Sequence, residues 1–138
     1  MFKAGSADLH NYTKNILAKI VGLIRFSPNF LSIAGYTDKG TSTLKGNYSN
    51  WELSSDRANT ARRFMVEQGI PHEQIARIVG KADSDPLDRE NPFSSRNRRI
   101  TITLLRNSIV PFHKVSAPKE LMANPGRNDF DDHLQVLD

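Results

Sequence analysis

Asp38 and Arg57 are the residues of this chain whose types and setting point to a binding site. Asp38 lies in GYTDKG, a turn-rich segment after a short apolar run, and Arg57 lies in ELSSDRAN, where an amphipathic helix begins. A carboxylate held opposite a guanidinium grips charged groups rather than breaking bonds. The planar fork of arginine matches a carboxylate in a way that lysine cannot. A nearby cation also favours the ionised form of Asp38, which makes it a poor general acid. Each residue has an ordinary reading as well, because Asp before Lys-Gly is a common turn residue and a lone helix arginine is commonly solvated.

The elements must bring the two together. Leu53, Ser54 and Arg57 fall within one turn, and Ser54 is the expected N-cap, since its hydroxyl can accept from N–H groups that the first turn leaves unpaired. From there Ala58, Ala61, Phe64 and Met65 recur at three- and four-residue steps on one helical face, until Gly69 and Pro71 stop the helix. Upstream, residues 2–6 read as the end of a strand. A helix follows over about 7–26, capped by Ser6, with Leu9, Tyr12, Ile16, Ile20, Leu23 and Ile24 as its apolar stripe. Residues 30–36 read as a strand whose end delivers Thr37 and Asp38 into a polar, glycine-containing loop that can fold over a site. Residues 77–80 suit a short buried strand, and 98–105 alternate, with Ile100, Ile102 and Leu104 on one face and Arg99, Thr101 and Thr103 on the other.

That order is strand, helix, strand, helix, strand, loop, strand. It predicts an α+β two-layer sandwich with both helices on one face of a mixed sheet. Residues 1–108 are expected to form the single domain, and 109–138, where periodicity fails among scattered prolines, a mobile tail. A chain of 138 residues has room for one core, and the absence of cysteine excludes disulfides, thiolate metal sites and cysteine nucleophiles. The net charge of +4 suits an anionic partner without naming one. Neither a signal-peptide core nor an apolar run of membrane-helix length is visible, so export is left without an evident means.

GYTD, SNWELSSDRAN, the glycine of IVGKAD with Pro86 beyond it, and NRRITI occur in that order. Together they resemble the OmpA-like peptidoglycan-binding domain, whose pattern is Gly-His-Thr-Asp, Leu-Ser-x-x-Arg-Ala, a glycine at a strand end and Asn-Arg-Arg. Within the family, GNYSNWELSSDRAN is similar to the MotB-type stator proteins of the flagellar motor. The resemblance spans about residues 1–106 and implies non-covalent binding of the diaminopimelate in the wall's stem peptide, with no catalysis and no cofactor. The residue types suit that ligand, whose side chain ends in an ammonium and a carboxylate. Asp38 would take the first and Arg57 the second, and the helix N-terminus adds partial positive charge. By motif position Thr37, Leu53, Asn97 and Arg98 would line the pocket, and Arg57→Lys would weaken wall binding while leaving the fold intact. The resemblance further implies a periplasmic, wall-associated location and a possible homodimer. Without a membrane helix, a MotA-like partner is not expected and stator function would be lost. Tyr36 stands where the family pattern has histidine.

Rival readings are a remnant scaffold without binding, a basic nucleic-acid module and a hydrolase. The RNRR cluster fits the second, but its cations are not interleaved with stacking aromatics, so no nucleic acid is expected. A hydrolase needs a nucleophile beside a base, and neither G-x-S-x-G nor a histidine near Asp38 is present in the sequence. Trp51 reads as a packing anchor. The four histidines show no ligand spacing, and ADSDPLDREN lacks the glycine and terminal glutamate of a calcium loop.

Overall fold

A computed structural model describes residues 1–40 and 45–106. The element order is α1 (Asn11–Ile24), β1 (Phe30–Gly35), α2 (Asn50–Glu67), β2 (Ile75–Gly80) and β3 (Ile100–Leu105). Single 3-10 turns precede β2 at His72–Gln74 and β3 at Ser95–Asn97. The sheet runs β2-β1-β3. β1 pairs with β2 in parallel, with α2 as the crossover, and with β3 antiparallel. The expected α+β class and mixed sheet are therefore present.

Register explains which face is buried. Ile33 and Gly35 of β1 sit opposite Ile102 and Ile100 of β3, and residues directly opposite share a face; Leu104, expected on that face and paired with Leu31, is 48% exposed at the strand end, where Leu105 is buried instead. Leu31 and Ile33 belong to one core with Leu17 and Val21 of α1 and Ala58, Ala61 and Met65 of α2, so both helices pack on that face. Two glycines let α2 come close at the strand ends. A Cβ at Gly35 would lie 2.1 Å from the Ser54 carbonyl oxygen, and one at Gly80 would lie 2.1 Å from Ser55 Oγ. The first half of α2 is thereby held against the ends of β1 and β2, where the chain turns into Thr37 and Asp38.

Several local expectations change. Residues 2–6 form no sheet strand. Gly5, at φ 66°, turns the chain back, and Phe2 and Leu9 make one isolated antiparallel bridge. Leu9 is consequently unavailable to α1, which starts four residues later than expected, after His10. Ser6 does not cap it, because its hydroxyl accepts from the Asp8 N–H at 3.0 Å. With that start the buried stripe is Thr13, Leu17 and Val21, and Tyr12 and Leu23 face solvent. α2, by contrast, starts before the expected cap. Ser49 and Glu52 form a reciprocal capping box, so Leu53 and Arg57 lie inside the helix instead of at its first turn. Ser54 Oγ instead accepts from the Ala82 N–H at 2.9 Å. The expected tail falls outside the described residues, as do 41–44 of the polar loop.

Candidate functional site

Thr37 and Asp38 leave the end of β1 and are fixed by the loops around them. The Thr37 N–H donates to the Ala82 carbonyl at 2.9 Å, and Ala82, at φ 52°, is the one described non-glycine residue with positive φ. That conformation is costly for an L-residue and persists because surroundings over-determine it. Here the Ala82 N–H answers Ser54 on α2 and its carbonyl answers Thr37, which locks helix and strand end together.

Asp38 meets Arg98, not Arg57, through a direct ion pair. Arg98 Nη1 donates to Asp38 Oδ2 at 2.6 Å, with side-chain exposures of 20% for Arg98 and 7% for Asp38. Asp38 Oδ1 accepts from the Gly40 N–H at 2.9 Å. Arg57 lies fully buried beneath, and all three of its nitrogens donate to backbone carbonyls: Nε to Ser6 at 2.8 Å, Nη2 to Lys3 at 3.0 Å and Nη1 to Tyr36 at 3.3 Å. Its guanidinium also stands 4.9 Å from the centroid of the Phe2 ring. Burial pulls the Arg57 pKa down to about 10 against the attraction of Asp38, so the cation persists at neutral pH. Arg98 joins Arg57 on the same segment, its Nε donating to the Phe2 carbonyl at 3.1 Å.

The other sequence-derived residues divide by role. Thr37 Oγ1 is buried beside Asp38 without a hydrogen-bond partner, a condition that calls for a water or ligand group. Leu53 is buried at 1% exposure and exposes almost no pocket surface. Asn97 is fully buried and staples the preceding loop. Its Oδ1 accepts from the Asp88 N–H at 2.8 Å, and its Nδ2 donates to the carbonyls of Asp88 (3.3 Å), Asn91 (3.1 Å) and Pro92 (3.2 Å). Tyr36 turns its ring to Arg99, whose guanidinium sits 3.8 Å from the ring centroid. Trp51 is not a packing anchor, since 58% of it is exposed at the start of α2.

Sequence reasoning missed Gly40, Pro92 and Phe93. The Lys39 N–H donates to the Pro92 carbonyl at 3.0 Å, which joins the Asn97-stapled loop to the strand end carrying Asp38. Phe93 is 63% exposed there. An apolar residue next to proline inside the polar run DRENPFSSRN was the available signal. A cavity of about 310 Å³ between α1 and α2, lined by residues including Lys14, Arg63 and Glu67, shares none of these residues. Among the described residues no group of three metal-ligating side chains gathers, and no helix is long and apolar enough to cross a membrane.

The domain class that carries this arrangement of Asp38, Arg57 and Arg98 is identified by comparison of the chain with known proteins. Residues 1–99 match the OmpA family, and the chain belongs to it. It is 41% identical over 107 residues to motility protein B of Escherichia coli (strain K12), covering 76% of this chain and 34% of that protein. The chain thus spans about a third of that relative's length. Among solved structures, a MotB-like protein of Desulfovibrio vulgaris superposes with a TM-score of 0.64 at 27% identity, covering 78% of this chain and 70% of the other. The cell wall anchor of the type VI secretion system (T6SS) of Pseudomonas aeruginosa shares the fold, with a TM-score of 0.62 at 24% identity over 76% of this chain and 74% of that one.

Proposed function

We propose that this domain binds cell-wall peptidoglycan non-covalently, through the zwitterionic end of diaminopimelate in the stem peptide. The observation that carries the reading is the Asp38–Arg98 pair, partly open to solvent beside the unpartnered Thr37 hydroxyl. A zwitterion can exchange into such a pair without burying net charge. Its ammonium replaces Arg98 at Asp38, its carboxylate takes the released guanidinium, and one ion pair becomes two. Thr37 Oγ1, buried at the same strand end, becomes available for a further hydrogen bond once the pair has opened. Arg57 acts from below, holding the Tyr36 carbonyl and adding positive charge under the pocket, while Asn97 and Leu53 position the walls. This assigns the carboxylate to Arg98 rather than to Arg57, whose side chain is enclosed.

Family membership and the likeness to motility protein B and a cell wall anchor support the same reading. It carries with it a periplasmic location, an anchoring role without catalysis and the possible homodimer of MotB-type domains. The test is co-sedimentation of the chain with purified peptidoglycan sacculi, alongside Asp38→Ala and Arg98→Ala variants checked for folding by circular dichroism. The parent should pellet, both folded variants should remain in solution, and free meso-diaminopimelate should release the parent. A folded parent that stays in solution would overturn the proposal and leave the domain as a scaffold.

A further inference from the structure

Phe93 stands exposed where the fold has gone to some length to fix it. The loop that carries it is stapled by the buried Asn97 amide, tied to Lys39 through Pro92, and closed by the Ser94 N–H donating to the Asn91 carbonyl at 3.0 Å. Gly40 completes the arrangement. A Cβ there would lie 3.3 Å from Asp38 Oδ1 and 3.4 Å from Phe93 Cδ1, so the missing side chain leaves a gap bordered by a carboxylate and by an aromatic ring edge. Gly40 has no positive φ, and a Cβ there would meet only side-chain atoms, tightly at Asp38 Oδ1 and at ordinary contact distance at Phe93. An apolar ring fixed beside a charged pair gains nothing from the core, because most of it faces water.

We infer that Phe93 is a ligand-contacting residue, an aromatic wall for the aliphatic chain that carries the ammonium bound by Asp38. The inference rests on the proposed function and adds a residue and a contact that the motif does not contain. A ring beside Asp38 suits an alkylammonium because its surface covers methylenes that the charged pair cannot desolvate. Gly40 leaves the opening through which the chain passes between them. Charge recognition by Asp38 and Arg98 and apolar recognition by Phe93 thus address adjacent parts of one ligand side chain.

The experiment uses the whole chain and a soluble muropeptide whose stem peptide carries diaminopimelate, with sacculi binding measured in parallel. Phe93→Ala should keep the parental fold and weaken both affinities by between about threefold and thirtyfold, and Phe93→Tyr, which retains the ring, should restore most of the loss. Nuclear Overhauser effects between the Phe93 ring protons and the ligand methylenes should be present in the parent complex; a residue that merely supports the loop would give none. Parental affinity in folded Phe93→Ala, or a bound muropeptide without contacts to the ring, would overturn this inference and leave peptidoglycan binding standing. A parent that binds neither probe would remove both.

Discussion

Arg98 holds the Asp38 carboxylate at 2.6 Å with one nitrogen and the Phe2 carbonyl at 3.1 Å with another. The side chain nearest solvent in the pair therefore also secures the N-terminal segment. Arg98→Ala should lower stability by on the order of 2 kcal/mol, less than for a fully buried pair because Arg98 keeps 20% exposure. Arg98→Lys should recover part of that stability but little of the wall binding, since one ammonium cannot serve both directions. Urea unfolding and sacculi co-sedimentation of the two variants separate the effects.

Arg57→Lys should destabilise the fold. Three carbonyls, of Lys3, Ser6 and Tyr36, depend on three different nitrogens of one guanidinium, and a lysine cannot answer all of them. With roughly 1–3 kcal/mol for each buried polar group left unpaired, a loss of about 3 kcal/mol is expected. A urea midpoint equal to the parent's would refute this. The same substitution judged from sequence leaves the fold intact, because an arginine on a helix gives no sign that backbone far along the chain closes around it.

Asn97→Ala should loosen the loop that presents Phe93. Its amide serves the Asp88, Asn91 and Pro92 carbonyls and the Asp88 N–H from a fully buried position. The expected loss is about 3 kcal/mol, and proteolysis should become faster within residues 82–94 in the variant. Unchanged cleavage there would show that the staple is dispensable.

Gly35→Ala should be among the most damaging single changes, because its Cβ would lie 2.1 Å from a backbone oxygen of α2 that cannot rotate away. Either the helix shifts or the strand end does, at roughly 3 kcal/mol or more. A variant with parental thermal stability would contradict this account of how α2 is seated.

Acid should weaken the start of α2. The Ser49 hydroxyl and then the Ser49 backbone N–H hold the Glu52 carboxyl below its ordinary value of 4.5. A depressed folded pKa means that the contribution is fully present above the ordinary value and is lost as pH falls through the lower folded one. The stability difference between parent and Glu52→Gln should be largest at neutral pH and vanish in acid. A difference independent of pH would show that the carboxylate charge has no part in the cap.

The larger elements were legible because their patterns are redundant. The alternation through Ile100 and Ile102 fixes the faces of β3 until Leu104, which is exposed, and the three- and four-residue steps through Ala58, Ala61 and Met65 fix the buried side of α2. Helix starts were less legible, since several serines compete for each one. Ser49 with Glu52 prevails over Ser54 through a reciprocal pair of hydrogen bonds, and Ser6 is diverted by Asp8. Within the site, residue types pointed to Asp38 and the arginines, but not to which arginine faces which partner. That choice depends on residues 1–6 folding back over Arg57, a long-range event with no local signal. Phe93 and Gly40 were hidden for a similar reason, because their meeting depends on the long-range bond from the Lys39 N–H to the Pro92 carbonyl.

The segment around Phe2 and Lys3 is tied to Arg57 and Arg98 through carbonyl groups that belong to no strand of the three-stranded sheet. Residues 1–6 therefore act as a latch, because the peptide groups that close over the buried Arg57 also set where Arg98 stands beside Asp38. Unlatching that short segment would free both guanidinium groups at once.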